Sequence, residues 1–489
     1  MRDYNYYLTQ SGEYGEVTKI NYPIITAMGL PYGKLDELVI FETGERGQII
    51  GLEEDEVQIL LFSHTRIKQG TKLSRSDTRL EIPVGEELLG KALTPFCQPL
   101  SGNDILPNLG ETREVDIQPS GISHRKKITH QLETGTAVID LMVPLGKGQK
   151  ELILGDRKTG KSTFVLSAIT NQIRQGAIAI YAAIGKKKSD IKYLETFMQE
   201  HPDLKKNMIL IATSSFDSPG LIFMTPFTAM TIAEYFRDQG REVIVVMDDL
   251  LTHAKFYREF ALLAQTFPGR DSYPGDIFHI HAKLLERAGN FTHEQNGEAS
   301  ISCLPIAETQ DGDITSYIVS NLMSITDGHI FFDNNIFNQG RRPAINIPLS
   351  VTRVGKQTQD KIGKDINREL NSLFAIYDKS ENLSHFGSEM TESVKSILGP
   401  GERVYHFFNQ PPRLTLPREI YLTLFALVWT TIINDDDTID SARTNLLQSC
   451  QQESNRMLIK SLLNTDSLNA YLKNIRDNAA LLEPLWKQK

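Results

Sequence analysis

Over about the first 80 residues, short apolar stretches alternate with turn residues. VIFETGERGQIIGLEEDEVQILLF carries two strand-like pieces around ETGERG, and TRLEIPVG supplies another. Short strands at this spacing predict a small barrel or sandwich. Between about Thr94 and Gly135 the chain is polar and turn-rich, with Pro95, Pro99, Pro107 and Pro119 and no sustained period, as in a connecting wrap around a core. From Gly135 to about Gly355 the pattern changes. KELIL, AIAIYAAIG, NMILIATSS and EVIVVMDD are nearly continuous apolar runs, as in parallel strands buried on both faces. STFVLSAITNQIRQ, IKYLETFMQEH and PFTAMTIAEYFRDQG separate them with helical spacing. Repeated strand–helix units predict an open parallel α/β sheet. After Gly355 no strand pattern remains, and DKIGKDINRELNSLFAIYDK, MTESVKSILG, PREIYLTLFALVWTTII and SLLNTDSLNAYLKNIRD read as helices. The expected fold is an N-terminal β-barrel (1–83), a central phosphate-loop α/β domain (84–359) and a C-terminal helical domain (360–489).

Length agrees with this division, because 489 residues exceed one ordinary core. A composition of 40% hydrophobic and 23% charged residues fits a globular chain. A net charge of −9 argues against nucleic acid as a partner across the whole surface. Cys97, Cys303 and Cys450 are isolated, without metal-ligand spacing, and read as reduced thiols of a cytoplasmic protein. The N-terminus has no basic or apolar leader region. The longest apolar run, 420–433, ends at NDDD and is too short to span a bilayer, so any membrane association runs through partners.

GDRKTGKS, residues 155–162, has the spacing G-x-x-x-x-G-K-[ST], met by Gly155, Gly160, Lys161 and Ser162. Glycines let successive N–H groups point into one concavity, where an anion replaces water. Asp156, Arg157, Lys158 and Thr159 complete the cradle, Lys161 is expected on the outer phosphates, and Ser162 on Mg²⁺. The helix that follows adds the positive end of its dipole. EVIVVMDD ends in Asp248 and Asp249. A carboxylate at the tip of a parallel strand is where a further Mg²⁺ ligand belongs. Asp248 is the expected ligand, and Asp249 the candidate helix cap.

Longer segments carry a specific resemblance. LETGTAVIDLMVPLGKGQKELILGDRKTGKS (132–162), IVVMDDL, FPGRDSYPGDIFHIHAKLLERA (267–288) and SITDGHIFFDNNIFNQGRRPAINIPLSVTRVG (324–355) resemble the alpha subunits of rotary F-type ATP synthases. GLEEDEVQILLF, IPVGEELLGKAL and HFGSEMTESVKSIL (385–398) fit the same pattern, so the likeness covers about residues 12–430. The resemblance implies bound ATP or ADP and a ring alternating three alpha chains with three catalytic beta chains. It also implies a gamma-like central shaft, and a complex peripheral to the cell membrane through other subunits.

Which half of such a ring this chain occupies decides the chemistry. In the related beta subunits, the residue after the glycine matching Gly185 is a glutamate that polarises water; in alpha it is usually glutamine. Here it is Lys186, in AAIGKKKSD. An ammonium has no lone pair to orient or deprotonate water, so bound triphosphate is held rather than attacked. The rival is that Glu308 or Asp313 substitutes for the missing base. Arg353, in SVTRVG, resembles the arginine that alpha chains project into a neighbouring catalytic site, where its fixed charge stabilises the transferring phosphoryl group.

Three features depart from the family pattern. In FFNQPPRLTLP, Gln410 matches a glutamine near the purine, but the second glutamine position falls on Pro412. Lys158 replaces a common loop glutamine, so it either tightens anion binding or points into solvent. The first twenty residues show no amphipathic helix of the kind that docks a peripheral stalk. The front end, together with Lys186, the altered base segment and a divergent C-terminal region, suggests a specialised relative, like the F-type-like ATPases of some wall-less bacteria. The other functional classes in view are a self-sufficient homohexameric motor of the secretion or transcript-terminating kind, and a scaffold that has lost nucleotide.

Overall fold

The computed structural model describes residues 3–64, 67–101, 109–293, 296–385 and 392–487. Pro107, and the stretch 386–391 within HFGSEMTESVKSIL, lie outside them. The chain forms two compact units: Met1–Lys127, Gly148–Ile153 and Ile173–Asp327 make one, and Ile128–Lys147, Leu154–Gln172 and Gly328–Lys489 the other.

The first unit opens with a helix, Tyr4–Ser11, capped by Asp3 and ended by Gly12 in the left-handed conformation. It buries none of its side chains. Six antiparallel strands follow: β1 (Gly15–Asn21), β2 (Ile24–Met28), β3 (Glu37–Phe41), β4 (Arg46–Leu52), β5 (Glu56–Leu61) and β6 (Lys72–Arg79). They close a barrel in the order β1-β2-β5-β4-β3-β6, with β6 returning to pair with β1. Inward residues such as Val17, Ile25, Val39, Phe41, Ile49, Ile59 and Leu73 fill it. VIFETGERGQIIGLEEDEVQILLF thus holds three strands, not two, because the Glu53–Asp55 turn makes a second hairpin. TRLEIPVG is likewise shared: β6 ends at Arg79, and Glu81–Val84 pairs with Glu111–Glu114 outside the barrel.

The parallel sheet of this unit runs Gly297–Glu308, Val243–Asp248, Ile178–Lys186, Met208–Ser214 and Ala92–Leu93. Both faces of its central strands are buried, which explains their unbroken apolar sequence. The helix read from Pro226 begins earlier, at Pro219, where Ser218 caps it through the Leu221 N–H. Pro226 therefore lies inside the helix rather than at its first turn.

The strand Glu151–Gly155 leaves the first unit, and its last two residues, Leu154 and Gly155, begin the next segment of the second. That segment turns through the glycine loop into helix Lys161–Arg174. The second unit adds the antiparallel pair Gly328–Phe332 and Val351–Thr352, then seven helices among the described residues from Lys361 onward. Arg418–Trp429, which takes in most of the longest apolar run, is buried along most of its length. No helix among the described residues is long and apolar enough to cross a membrane. SLLNTDSLNAYLKNIRD breaks into Glu453–Leu463 and Leu468–Asp477, because Ser467 caps a new helix through the Ala470 N–H. All three cysteines carry free thiols.

Candidate nucleotide site

In the second unit the strand ends at Gly155, whose φ of 144° brings its α-carbon against Phe332. A Cβ there would stand 2.4 Å from the Phe332 carbonyl oxygen, so only glycine fits. Lys158 follows at φ 65° and Gly160 at φ 103°, which coil the loop back on itself. The Thr159 hydroxyl ties the coil by donating to the Asp156 carbonyl at 2.8 Å. Lys161 is buried, and its ammonium donates to the carbonyls of Gly155 (2.8 Å) and Asp156 (2.5 Å). These are the bonds of a lysine folded over its own loop. Arg157, Lys158 and Ser162 are exposed.

The loop and the first turn of its helix help to line a cavity of about 310 Å³, within the size range of small-ligand sites. Phe164, Phe337, Arg342 and the segment Gln410–Leu414 form other parts of its lining. The lining therefore combines a glycine loop and the start of a helix with the rings of Phe164 and Phe337. Gln410 reaches this cavity, but its amide is engaged. Its Oε1 accepts the Ala137 N–H at 3.2 Å, and its Nε2 donates to the carbonyls of Gly135 (2.8 Å) and Leu414. It braces the wall.

Phe337 and Arg342 were not singled out from the sequence, although both fall within the resembling segment 324–355. Arg342 lies over the Phe337 ring at 3.6 Å and donates to the Phe337 carbonyl at 2.7 Å, so the two form one block. Only the pairing in space marks them as part of the wall.

In the first unit, register places Ala183 beside Asp248, so that Lys186, three residues on, extends past the end of the neighbouring strand. Gly185 adopts φ 58°, and a Cβ there would meet Phe256 at 2.9 Å. The Lys186 ammonium lies 2.5 Å from Asp248 Oδ1 and 3.1 Å from Asp249 Oδ2. Asp248 Oδ2 accepts the Tyr181 hydroxyl at 2.7 Å. Asp249 is the cap of helix Leu250–Leu263: its Oδ1 accepts the Thr252 N–H at 2.6 Å and its Oδ2 the Thr252 hydroxyl at 3.1 Å. Burial works against the Lys186 charge, but Asp248 and Asp249 outweigh it and raise the pKa above the ordinary lysine value. Lys186 is a cation at any physiological pH.

The two expected Mg²⁺ ligands thus differ. Ser162 presents an exposed hydroxyl and fits the role. Asp248 has one oxygen on an ammonium and the other on a phenol, which does not fit an open metal ligand. Among the described residues no group of three or more His, Cys, Asp or Glu side chains could hold a metal by itself.

Of the two rival bases, Asp313 is exposed and accepts both the N–H and the hydroxyl of Thr315, which holds its pKa below the usual carboxylate value. Glu308 is half-buried at the end of its strand. Arg353 is exposed in the second unit, one residue beyond Val351–Thr352. Its loop is fixed beneath: the Thr352 hydroxyl donates to the Pro144 carbonyl (3.0 Å) and accepts the Gly355 N–H (3.0 Å). A Cβ on Gly355 would collide with the Pro144 oxygen at 1.6 Å.

Residues 135–352 match the ATP synthase alpha/beta family, nucleotide-binding domain. Over most of its length the chain is similar to proteins called ATP synthase subunit alpha. That of Neorickettsia sennetsu is 38% identical, over 90% of this chain and 88% of the relative. That of a Sulfurovum species is 40% identical, over 83% and 80%. That of Mycoplasma pneumoniae is 39% identical, over 82% and 77%.

Proposed function

Because the chain belongs to the ATP synthase alpha-subunit family, we propose that it is the noncatalytic nucleotide-holding member of a ring alternating three alpha with three beta chains. Its kinship makes it an alpha-type subunit of an ATP synthase complex, with a domain that binds nucleotide. Gly155–Lys161 cradle the phosphates of ATP or ADP, and the Phe337–Arg342 block and the braced Gln410 segment wall the base. Ser162 would hold an Mg²⁺ accompanying the nucleotide, which supplies positive charge against the phosphate oxygens.

The observation that carries the noncatalytic role is Lys186. It occupies the position after Gly185 as a cation clamped between two carboxylates, so it can neither take a proton from water nor turn a lone pair towards it. Arg353 is exposed on a loop pinned to Pro144, which suits a side chain that acts in a neighbouring subunit. The partners are a beta-type catalytic chain, a central shaft and, through other subunits, a membrane sector that makes the whole complex peripheral to the membrane.

The test is to assay ATP hydrolysis by the purified chain alone and then with its beta-type partner. The expected result is no turnover from the solitary chain and turnover from the mixture. Replacing Arg353 by Ala should lower the rate of the mixture by about 10³–10⁵, the usual worth of an arginine supplied in trans. Hydrolysis by the chain alone overturns the reading. A second reading, a motor that drives something other than ATP synthesis, is favoured by the departures at Lys186 and Pro412. Failure of a membrane-reconstituted complex to make ATP from a proton gradient would support it.

A further inference from the structure

We propose that the cavity of the second unit takes purine nucleoside triphosphates without choosing between adenine and guanine, because Gln410, the amide that could read adenine, is taken up by its own wall. The inference rests on the nucleotide-binding reading above and concerns which bases that site admits.

A nucleotide with its phosphates on the glycine loop must set its base against the rest of the cavity lining, which includes Phe337, Arg342, Pro343 and the segment Gln410–Leu414. Adenine carries an amino donor where guanine carries a carbonyl acceptor, and the side-chain amide of glutamine or asparagine matches the adenine edge. Among the described residues that line the cavity, Gln410 is the one amide side chain. It is buried, its Nε2 donates to the Gly135 and Leu414 carbonyls, and its Oε1 takes the Ala137 N–H. Turning it towards a base breaks all three bonds, in a buried place where a polar group left unpaired is costly. The backbone beside it is largely occupied as well. Pro343, Pro411 and Pro412 carry no N–H, and the N–H groups of Gln410 and Leu414 donate to the carbonyls of Arg342 (2.7 Å) and Pro411 (3.2 Å). The Pro343 carbonyl accepts the Ile345 N–H at 2.9 Å. What this part of the lining adds is stacking surface: proline rings, and the Phe337 ring with the Arg342 guanidinium over it at 3.6 Å. Stacking tolerates either purine, because every base has a π-face. A guanidinium only donates, and both purines carry the N7 acceptor. A site built to hydrogen-bond one substrate rejects its analogue by about 10⁴–10⁵, whereas a pocket that works by fit alone reaches about 10² at most. This lining is of the second kind.

The experiment is equilibrium binding of ATP, and separately of GTP, to the purified full-length chain in Mg²⁺, with far-UV circular dichroism as the check on folding. The two affinities of the natural chain are expected to lie within about tenfold of each other. Gln410→Ala removes the brace of the wall and no contact to a base, so the two affinities are expected to change by a common factor. A preference of the natural chain for either nucleotide by more than about tenfold overturns the inference while leaving the nucleotide reading intact. A variant that folds and loses affinity for ATP alone also overturns it, since the amide is then what reads adenine. If the variant does not fold, the ratio for the natural chain decides alone. Binding of neither nucleotide overturns the nucleotide reading and this one with it.

Discussion

The glycine loop of the second unit and the acidic strand end of the first meet different kinds of requirement. The loop works through its backbone: Gly155 must pass within contact of Phe332, and Gly160 must take a positive φ, so that the amides converge. No other residue type answers those demands, and the sequence there keeps the phosphate-loop spacing. The strand end works through net charge, and charge can be balanced in more than one way. Here the carboxylate of Asp248 faces Lys186 from the adjacent strand. Steric requirements resist change, and electrostatic ones permit exchange of the partner that satisfies them.

If Lys186 carries the balance, removing it should cost more than any other change at either place. Lys186→Met keeps the length and removes the charge, leaving Asp248 and Asp249 buried without a cation. Uncompensated buried charge costs about 3–5 kcal/mol. An unfolding free energy lowered by that much, read as a lower denaturant midpoint with unchanged slope, is the expected outcome. A midpoint within experimental error of the natural chain would mean the carboxylates are hydrated or protonated and that the ion cluster is incidental.

At the loop the expected loss is in binding. Gly155→Val places branched carbon against the Phe332 carbonyl, which belongs to the backbone and cannot move aside. ATP affinity should fall by about a hundredfold or more, read by the same equilibrium binding. Lys161→Met tests the loop without backbone strain, and a comparable fall is expected on the proposal that the ammonium turns from its loop carbonyls to phosphate when nucleotide binds. Full affinity in both variants would end the claim that the loop is the more constrained of the two regions.

How far each region could be read from residue order follows from the same difference. The loop is local: eight consecutive residues hold its glycines, its lysine and its hydroxyl, and the strand before it and helix after it appeared where the apolar pattern put them. The barrel, the parallel strands and the helical end were legible for the same reason, as each depends on a short-range period. Lys186 was legible as a departure, but its clamp was not. Tyr181, Lys186, Asp248 and Asp249 converge only because Ala183 pairs with Asp248, and register is not written in either strand alone. Gln410 was picked out for the base, yet its amide holds Gly135, Ala137 and Leu414, contacts up to 275 positions away in the chain. Pro226 misled locally, because a proline reads as a helix start and only Ser218 shows where the cap lies.

A third prediction concerns the helix that Asp249 caps. His253 lies one turn along it, fully buried, with its ring nitrogens on His281 (3.1 Å) and the Phe223 carbonyl (3.1 Å). Burial pushes its pKa down to about 4 against the bonding to Phe223 and the charge of Asp249, from an ordinary 6.5. Burial and the neighbouring His253 also hold His281 well below its usual value. A depressed folded pKa means the unfolded chain takes the proton first. The stability is therefore whole above pH 6.5 and declines as pH falls towards 4. For His253 alone the decline is about 2 kcal/mol by pH 5. Urea midpoints at pH 7.5 and 5 should show it, and His253→Gln should flatten the difference. An acid-insensitive midpoint in the natural chain would mean the pair is hydrated. The helix could then not hold Asp249 as rigidly as the Lys186 clamp requires.

The smallest expected effect is at Asp313, and it bears on the comparison because Asp313 is one of the carboxylates that could replace the base missing at Lys186. Its oxygen already accepts two bonds from Thr315, in an exposed turn where water competes for every contact. A general base needs a pKa near the working pH, and those bonds move this one the wrong way, below an ordinary carboxylate. Asp313→Ala should therefore leave thermal stability, ATP binding and the turnover of the mixed complex unchanged. The informative case is the solitary chain. Were it to hydrolyse ATP at all, and were Asp313→Ala to abolish that activity while Lys186→Gln did not, the missing base would have been supplied from the Asp313 turn. Lys186 would then mark a relocated catalytic centre. With Asp313 silent, the strand end stands as a place where charge was rebalanced and catalysis was not restored.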